Sequence, residues 1–482
     1  MMIGINDILA ILPELIVAGS VCVLLLVDFL IGKENKALMG YLSLAVIFAA
    51  AIATWSMTRS GSLPVDAFNG MISVDKIAVF FKVIFFIATA LTIMLSLSYI
   101  KDKNINLGEY YALLLFSLTG MMITASSSDL LSIYLGIELM SLPIYALVGF
   151  RVRDGRANEG AMKYVILGAF SSAVMLFGIS FIYGLTGTTE ISGIAEALRS
   201  ADAQPAALGI AIVMLVAGFG FKIAGVPFHM WAPDAYEAAP TPITAFMSVA
   251  AKTAAFVVFV RVFVDGFAPI VEQWQLILTV LAILSMLVGN TVAIAQTNIK
   301  RMLAYSSIGH GGYALLGIIA ATPEGTSSVM FYLLVYAFMN LGIFGVIVMM
   351  NRDKSGGELI TDYTGLAKKN GALALVMLIF LFSLAGIPPT AGFMGKFYVF
   401  MALINEGMVW LAVVAVIFSA VAAYFYIRVI MLMYMKEPER EFSYARPLSV
   451  LIVITISLIA VILLGVLPDR IIELAEKAVG IL

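Results

Sequence analysis

Apolar runs of roughly 20 residues recur along the whole chain, and no other feature restricts its fold more. A helix crossing the hydrocarbon core of a bilayer needs about 20 such residues. Fourteen segments qualify, near 10–31, 37–58, 74–100, 108–125, 130–150, 160–185, 207–224, 241–264, 272–296, 302–320, 327–350, 371–387 with 391–404, 408–435 and 447–467. Only 12% of the residues are charged, against about 25% in soluble domains. The expected fold is therefore all-α, a polytopic membrane protein of about fourteen transmembrane helices.

The rest of the composition excludes several chemistries. A single cysteine, Cys22, rules out an internal disulfide and a four-cysteine iron–sulfur cluster. Two histidines, His229 and His310, make no metal-ligand set, and neither a phosphate-binding loop nor a dinucleotide fingerprint is present. No cofactor or metal is expected in the chain, and no basic stripe suggests nucleic acid. Asp7 and Glu14 near the start, without a basic flank, do not read as a cleaved signal peptide.

Lysine and arginine orient the segments. Sixteen of the 28 cations fall in the loops after segments 1, 3, 5, 9, 11 and 13, among them Lys33, Lys36, Arg151, Lys300, Arg301, Arg352, Lys354 and Arg440. The even-numbered loops and the C-terminal tail hold four, Arg59, Arg199, Arg470 and Lys477. The odd loops are thus expected to face the cytoplasm or its organellar equivalent, with both termini on the other side.

Eight cations remain inside the segments. Lys76, Lys163, Arg261 and Arg428 stand near segment ends and read as snorkelling side chains, while Lys82 is ambiguous. Lys222, Lys252 and Lys396 are deepest, and Glu138 is at the middle of the fifth segment. Asp28, Asp75, Glu109 and Asp129 stand near ends and read as solvated; Glu14 reads likewise, with an intake path as its alternative.

Two of the deep lysines adjoin helix breaks, Gly225-Val226-Pro227 beside Lys222 and Gly386-Ile387-Pro388-Pro389 before Lys396. These breaks belong to an internal repeat. Tyr145-Ala146-Leu147 matches Tyr313-Ala314-Leu315 at an offset of 168, which also pairs Met162 with Met330, Tyr164 with Tyr332, and Glu190 with Glu358. Farther on, Ala224-Gly225-Val226-Pro227 matches Ala385-Gly386-Ile387-Pro388, and Val260-Arg261-Val262 resembles Ile427-Arg428-Val429. Five segments per copy (4–8 and 9–13) make this an inverted-topology repeat with one discontinuous helix in each. The expected units are 1–105, 106–268, 269–436 and 437–482. Transporters of this kind keep their ion sites at broken helices near the midplane, where freed backbone groups line protein or water.

A lone charge at the bilayer centre costs about 2.5–3.5 kcal/mol on insertion scales, so the deep groups need partners or a function. Glu138 is the natural counter-ion of Lys222. Exposed carbonyls at the end of the first half-helix favour the same cation. In order, Glu138, Lys222, Lys252 and Lys396 trace a line of titratable groups from one repeat to the other, which is the pattern of a proton relay; a structural ion pair is the plainer reading of Glu138 and Lys222. His229 and His310 are further relay candidates, or packed side chains.

The stretch FHMWAPDAYEAAPTPITAFMSVAAKTAAF, Phe228 to Phe256, resembles the antiporter-like subunits of respiratory complex I, NADH–quinone oxidoreductase. The PDAYEAAPTP form, Pro233 to Pro242, looks most like their N, or chain 2, branch. The resemblance implies fourteen helices, broken helices seven and twelve, and proton translocation coupled at a distance to quinone reduction. It assigns relay roles to Glu138, Lys163, Lys222, Lys252 and Lys396, with Lys163 near the Glu138–Lys222 pair. It further implies that NADH, FMN, iron–sulfur clusters and quinone are held by other subunits. The partners would be sister membrane subunits and the lipid of a bacterial inner membrane. A stand-alone or Mrp-type cation/proton antiporter, a non-pumping scaffold, and a related complex fed by another electron donor stay open as alternatives.

Overall fold

The computed structural model describes residues 4–32, 36–59, 63–103, 105, 107–200, 205–350, 357–438 and 446–481. Lys33, Arg352, Lys354 and Arg440, counted above for orientation, lie outside the described residues. The chain is helical nearly throughout. Among the described residues, ten helices are long and apolar enough to cross a membrane, from Leu12–Leu30 to Leu448–Val466. The other four predicted segments are helical too: Glu109–Ser126, Ile299–Ile319, Pro205–Lys222 with Trp231–Ala238, and Gly371–Ala385 with Ala391–Asn405. Two of them are broken into half-helices too short to count, and the other two carry Ser, Gly, His and charge that lower their hydropathy.

Thr241–Gly266 and Pro323–Met350 are buried along their whole apolar windows and form the centre of the molecule. A helix apolar on all sides and wrapped by others is a core helix. Thr241–Gly266 is not a regular α-helix: π-helical turns at Met247–Ala251 and Val260–Gly266 flank the α-helical Lys252–Phe259. Such turns are frequent at functional sites. Lys252 directly follows the first.

A hairpin and two amphipathic helices are among the elements with no counterpart in the hydropathy reading. Val65–Ala67 and Ile72–Val74 pair as an antiparallel hairpin with Asp66 opposite Ser73. Asp7 ties it to the N-terminal turn by accepting the Phe68 and Gly4 N–H groups, both at 2.8 Å, and these two bonds hold its carboxyl below the usual range. Ile191–Ser200 and Asp469–Val479 are short and amphipathic; neither has the length to span.

The same local architecture occurs twice. Asp129 bridges Glu190, and Asn298 bridges Leu359, each partner 169 residues beyond its earlier equivalent. The flanking bonds, Leu130 N–H to Thr189 and Ile191 N–H to Ser128, recur as Ile299 N–H to Glu358 and Ile360 N–H to Thr297. Asp129 caps its helix through the N–H groups of Leu131 and Ser132, and Asn298 does so through Lys300 and Arg301. Gly120 meets the backbone of Leu139 and Met140, and Gly289 that of Gly309. At this bridge Thr189, not Glu190, corresponds to Glu358, so the Glu190–Glu358 sequence match is one residue out of register.

Several charges differ from the sequence reading. Glu14 and Lys82 form an ion pair of 2.6 Å with side chains 4% and 0% exposed, so neither is solvated or snorkelling. Arg261 does not snorkel: both its Nη atoms donate to Asp75 at 2.7 Å. Asp75 is thereby an ion-pair partner and helix cap instead of a solvated end. Arg428 donates to the Ile294 carbonyl at 2.7 Å. Asp28 pairs with Lys36 at 2.5 Å, and Asp129 also accepts from Thr189. Lys300, counted with a loop, is buried and donates to the carbonyls of Glu237 and Ala239 at 2.6 and 2.8 Å.

Candidate functional site

Hydrogen bonds from within and outside the helix tie the first break. Gly225 N–H returns to Gly220 O at 2.7 Å, Val226 N–H donates to Ser285 Oγ at 3.0 Å, and Trp231 Nε1–H donates to Phe221 O at 3.0 Å. Trp231 stacks on Tyr164 with centroids 4.0 Å apart and rings 2° from parallel. The break is thus held rigidly by groups from three helices, and its last α-helical residue is Lys222.

Lys222 Nζ lies 3.2 Å from Glu138 Oε1 and 3.0 Å from Ser141 Oγ. Ser172 donates to the same Glu138 oxygen at 2.5 Å. The pair is asymmetric: the lysine side chain is 2% exposed and the carboxylate 21%. Glu138 and Ser141 share one face at i and i+3, so the neighbouring helix supplies both groups that hold the ammonium.

Lys163 does not join this pair. Its Nζ contacts Asp234 Oδ2 at 2.8 Å and Glu159 Oε1 at 2.7 Å, and its side chain is 45% exposed. Asp234 passes the chain of charges to Arg301 Nη1 at 2.6 Å, and Arg301 reaches Glu237 at 3.2 Å. Arg151, Lys300 and Arg301 gather around the last turn of Trp231–Ala238, where Arg151 donates to Ala238 O at 2.7 Å. Cations suit the carbonyl end of a helix.

Lys252 is buried with no carboxylate among the described residues beside it. Its Nζ is 2.5 Å from Ser307 O and 2.6 Å from Ser307 Oγ. Gly311, one turn on, keeps the space open: a methyl group there would lie 3.7 Å from Lys252 Nζ and 3.5 Å from the Ile223 carbonyl of the first break. The break and Lys252 thus face each other across a glycine.

The same helix, Ile299–Ile319, also carries His310. His310 Nδ1 is 2.6 Å from the Tyr332 hydroxyl and Nε2 3.2 Å from the Tyr426 hydroxyl, and Tyr426 is bonded in turn to Ser306. A neutral imidazole has one donor and one acceptor nitrogen, so the two tyrosines play opposite roles, and exchanging tautomers reverses both. Such an arrangement can take a proton at one nitrogen and release one at the other.

Lys396 closes the series. Its Nζ donates to Ala385 O at 3.0 Å, Leu384 O at 3.2 Å and Ser419 Oγ at 2.8 Å, and lies 4.8 Å from the centroid of the Tyr313 ring. The carbonyl end of the first half-helix thus holds the ammonium of the second. Gly386, at φ +85°, makes the approach feasible, because a Cβ there would sit 3.0 Å from Lys396 Cδ.

His229 is half-buried in the first break and makes no ion pair among the described residues. The structure therefore joins Glu138 with Lys222, and sets His310 between Lys252 and Lys396, but leaves Lys163 and His229 apart. Ser141, Ser172, Ser307, Tyr426 and Ser419, and Tyr332 beyond its place in the repeat, are site residues that the sequence reading does not include. The legible signal was polar side chains one helical turn apart inside apolar segments, as at Ser306, His310 and Tyr313.

Residues 127–422 match the family described as NADH:quinone oxidoreductase/Mrp antiporter, TM. NADH-quinone oxidoreductase subunit N 2 of Rhizobium meliloti is 50% identical over 470 residues, 98% of this chain and 97% of that protein. Subunit N of Trichlorobacter lovleyi is 42% identical over 477 residues, 98% and 97% of the two chains. A chain of respiratory complex I from Thermus thermophilus superposes with a TM-score of 0.80 at 30% identity, covering 96% of this chain and 99% of its own. The matched span takes in both broken helices and every lysine and glutamate of the series described above, and the full-length likeness adds the flanking helices: the chain belongs to the NADH-quinone oxidoreductase subunit N family.

Proposed function

We propose that the chain is a proton-translocating membrane subunit of NADH-quinone oxidoreductase, in which quinone reduction elsewhere in the complex drives proton transfer along Glu138, Lys222, Lys252, His310 and Lys396. The observation that carries this reading is the helix Ile299–Ile319, whose Ser307 holds Lys252 and whose His310 and Tyr313 stand toward Lys396. Buried ammonium groups held by hydroxyls and carbonyls, without a bound counter-ion, can change protonation when a neighbouring charge moves. Glu138 is that neighbour for Lys222. Separation of the pair would lower the affinity of Lys222 for its proton and pass charge toward Lys252.

Fourteen crossings and an inverted repeat of helices 4–8 and 9–13 fit this function, and the doubled bridges, caps and glycine crossings support the repeat. The units 1–105, 106–268, 269–436 and 437–482 follow from it. A bacterial inner membrane with both termini on the non-cytoplasmic side is the placement the cation distribution favours. NADH, FMN, clusters and quinone belong to other subunits on this reading. Lys163, on its exposed ion-pair chain, is assigned to the approach from the cytoplasm, and His229 to the lining of the break.

The test is Lys222→Ala in the intact complex, with assembly checked on a native gel and proton pumping measured together with quinone reductase turnover. An assembled complex with a large loss of pumping supports the relay. Normal pumping leaves Lys222 a charge-balancing residue and refutes the path through it.

A further inference from the structure

One helix face of the second repeat is bare where most of the same face of the first is covered. Along Val271–Ile294, Leu276, Val280 and Leu287 are 69%, 50% and 40% exposed, and Thr291 is exposed as well. Their spacing puts them in one stripe of the helix. Of the residues 169 positions earlier, Tyr111, Leu118 and Met122 are 0% exposed, while Leu107, the counterpart of Leu276, precedes Glu109–Ser126 and is 47% exposed. What covers them is the N-terminal unit, Leu12–Leu30, Ala37–Arg59 and Lys76–Asp102, packed against Glu109–Ser126. Tyr110 bonds Ser96 of that unit at 2.9 Å.

The two faces end alike, at an arginine. Arg261 donates to Ala125 O at 3.2 Å, and Arg428 donates to Ile294 O, the carbonyl 169 residues on. The difference is what completes the guanidinium. Arg261 receives both oxygens of Asp75, the cap of Lys76–Asp102. Arg428 makes no ion pair among the described residues, and one bond uses one of its five N–H donors.

We propose that the second repeat is completed from outside in the way the first is completed from within. A transmembrane helix of a neighbouring membrane subunit lies along Leu276, Val280, Leu287 and Thr291, and its Asp or Glu carboxylate closes on Arg428 as Asp75 closes on Arg261. Hydrocarbon alone would cover the apolar stripe, but it brings no acid to the guanidinium. A planar guanidinium at a half-buried site is suited to bidentate pairing with a carboxylate. The inference rests on the internal repeat and on membership of a multisubunit assembly, and it is independent of the proton path.

The experiment uses the intact complex, with a photo-crosslinking residue in place of Val280 or Leu287 and the adducts mapped by mass spectrometry. The expected adduct joins both positions to one transmembrane helix of another subunit, with an acidic residue near its Arg428 end. Arg428→Glu should lower the yield by about tenfold or more, because one charge of a buried pair is then opposed by a like charge. Replacing the partner acid by lysine should restore it. Arg428→Gln, which keeps a donor for Ile294 O, covers the case in which Arg428→Glu fails to accumulate, and the same loss is expected. Adducts to lipid alone, adducts to a second copy of this chain, or a yield indifferent to residue 428 would each overturn the proposal.

Discussion

Lys396 Nζ lies 3.0 Å from the carbonyl oxygen of Ala385, eleven residues earlier on the other half of its own broken helix. The first break is built differently, with Lys222 on the leading half-helix and its counter-charge, Glu138, on a neighbour 3.2 Å away. The two breaks therefore hold their ammonium groups by different means, one with a carboxylate and the other with a helix end, a hydroxyl and an aromatic face. A carboxylate that moves would change Lys222 directly; Lys396 would respond to what reaches it.

Lys396→Ala should leave an assembled complex with pumping reduced by about tenfold, a barrier change near 1.4 kcal/mol. Lys396→Arg should not restore it, because guanidinium stays protonated. Proton uptake by reconstituted vesicles measures both. Full pumping by the arginine variant would show that only a fixed positive charge is needed there.

Ser172→Ala removes the 2.5 Å bond to Glu138 but neither charge. The expected cost is about 1 kcal/mol in holding the carboxylate, read as a several-fold fall in coupled turnover with assembly intact. Glu138→Gln should be more severe, since it keeps an acceptor for Lys222 but removes the counter-charge of a buried ammonium. Equal effects of the two would argue that the bond, not the charge, is what matters.

Gly311→Val fills the space between Lys252 Nζ and the Ile223 carbonyl. If protons cross there through water, pumping should fall while the native gel is unchanged, and Gly311→Ala should lie between. Unimpaired pumping in the valine variant would place the crossing elsewhere.

Lys163→Ala should change pumping by less than about twofold, since an exposed ion pair is worth about 0–1 kcal/mol and its 45%-exposed ammonium stands apart from Glu138. A loss as large as that of Lys222→Ala would mean that Lys163 moves toward the pair during turnover.

The membrane-spanning helices, the two breaks and the deep charges were all legible in the sequence. Twenty-residue apolar runs can satisfy their backbone in lipid only as helices, and Gly-Val-Pro or Gly-Ile-Pro-Pro inside such a run interrupts it wherever the helix packs. Glu138 and Lys222 could be paired in advance because two deep opposite charges leave little alternative. Position along a segment gave no such guide for Arg261, Lys82 or Lys300. Arg261 stands near a segment end, Lys82 about two turns in and Lys300 in a loop, and only the packing of distant helices supplied Asp75, Glu14 and the carbonyls of Glu237 and Ala239. The same holds for Lys252 and Lys396. Their depth followed from hydropathy, but the bond to Ser307, 55 residues away, and the return to Ala385 depend on how helices cross and where a half-helix ends. Hydropathy is a property of each segment alone, whereas a buried charge is answered by whichever segment the fold brings alongside.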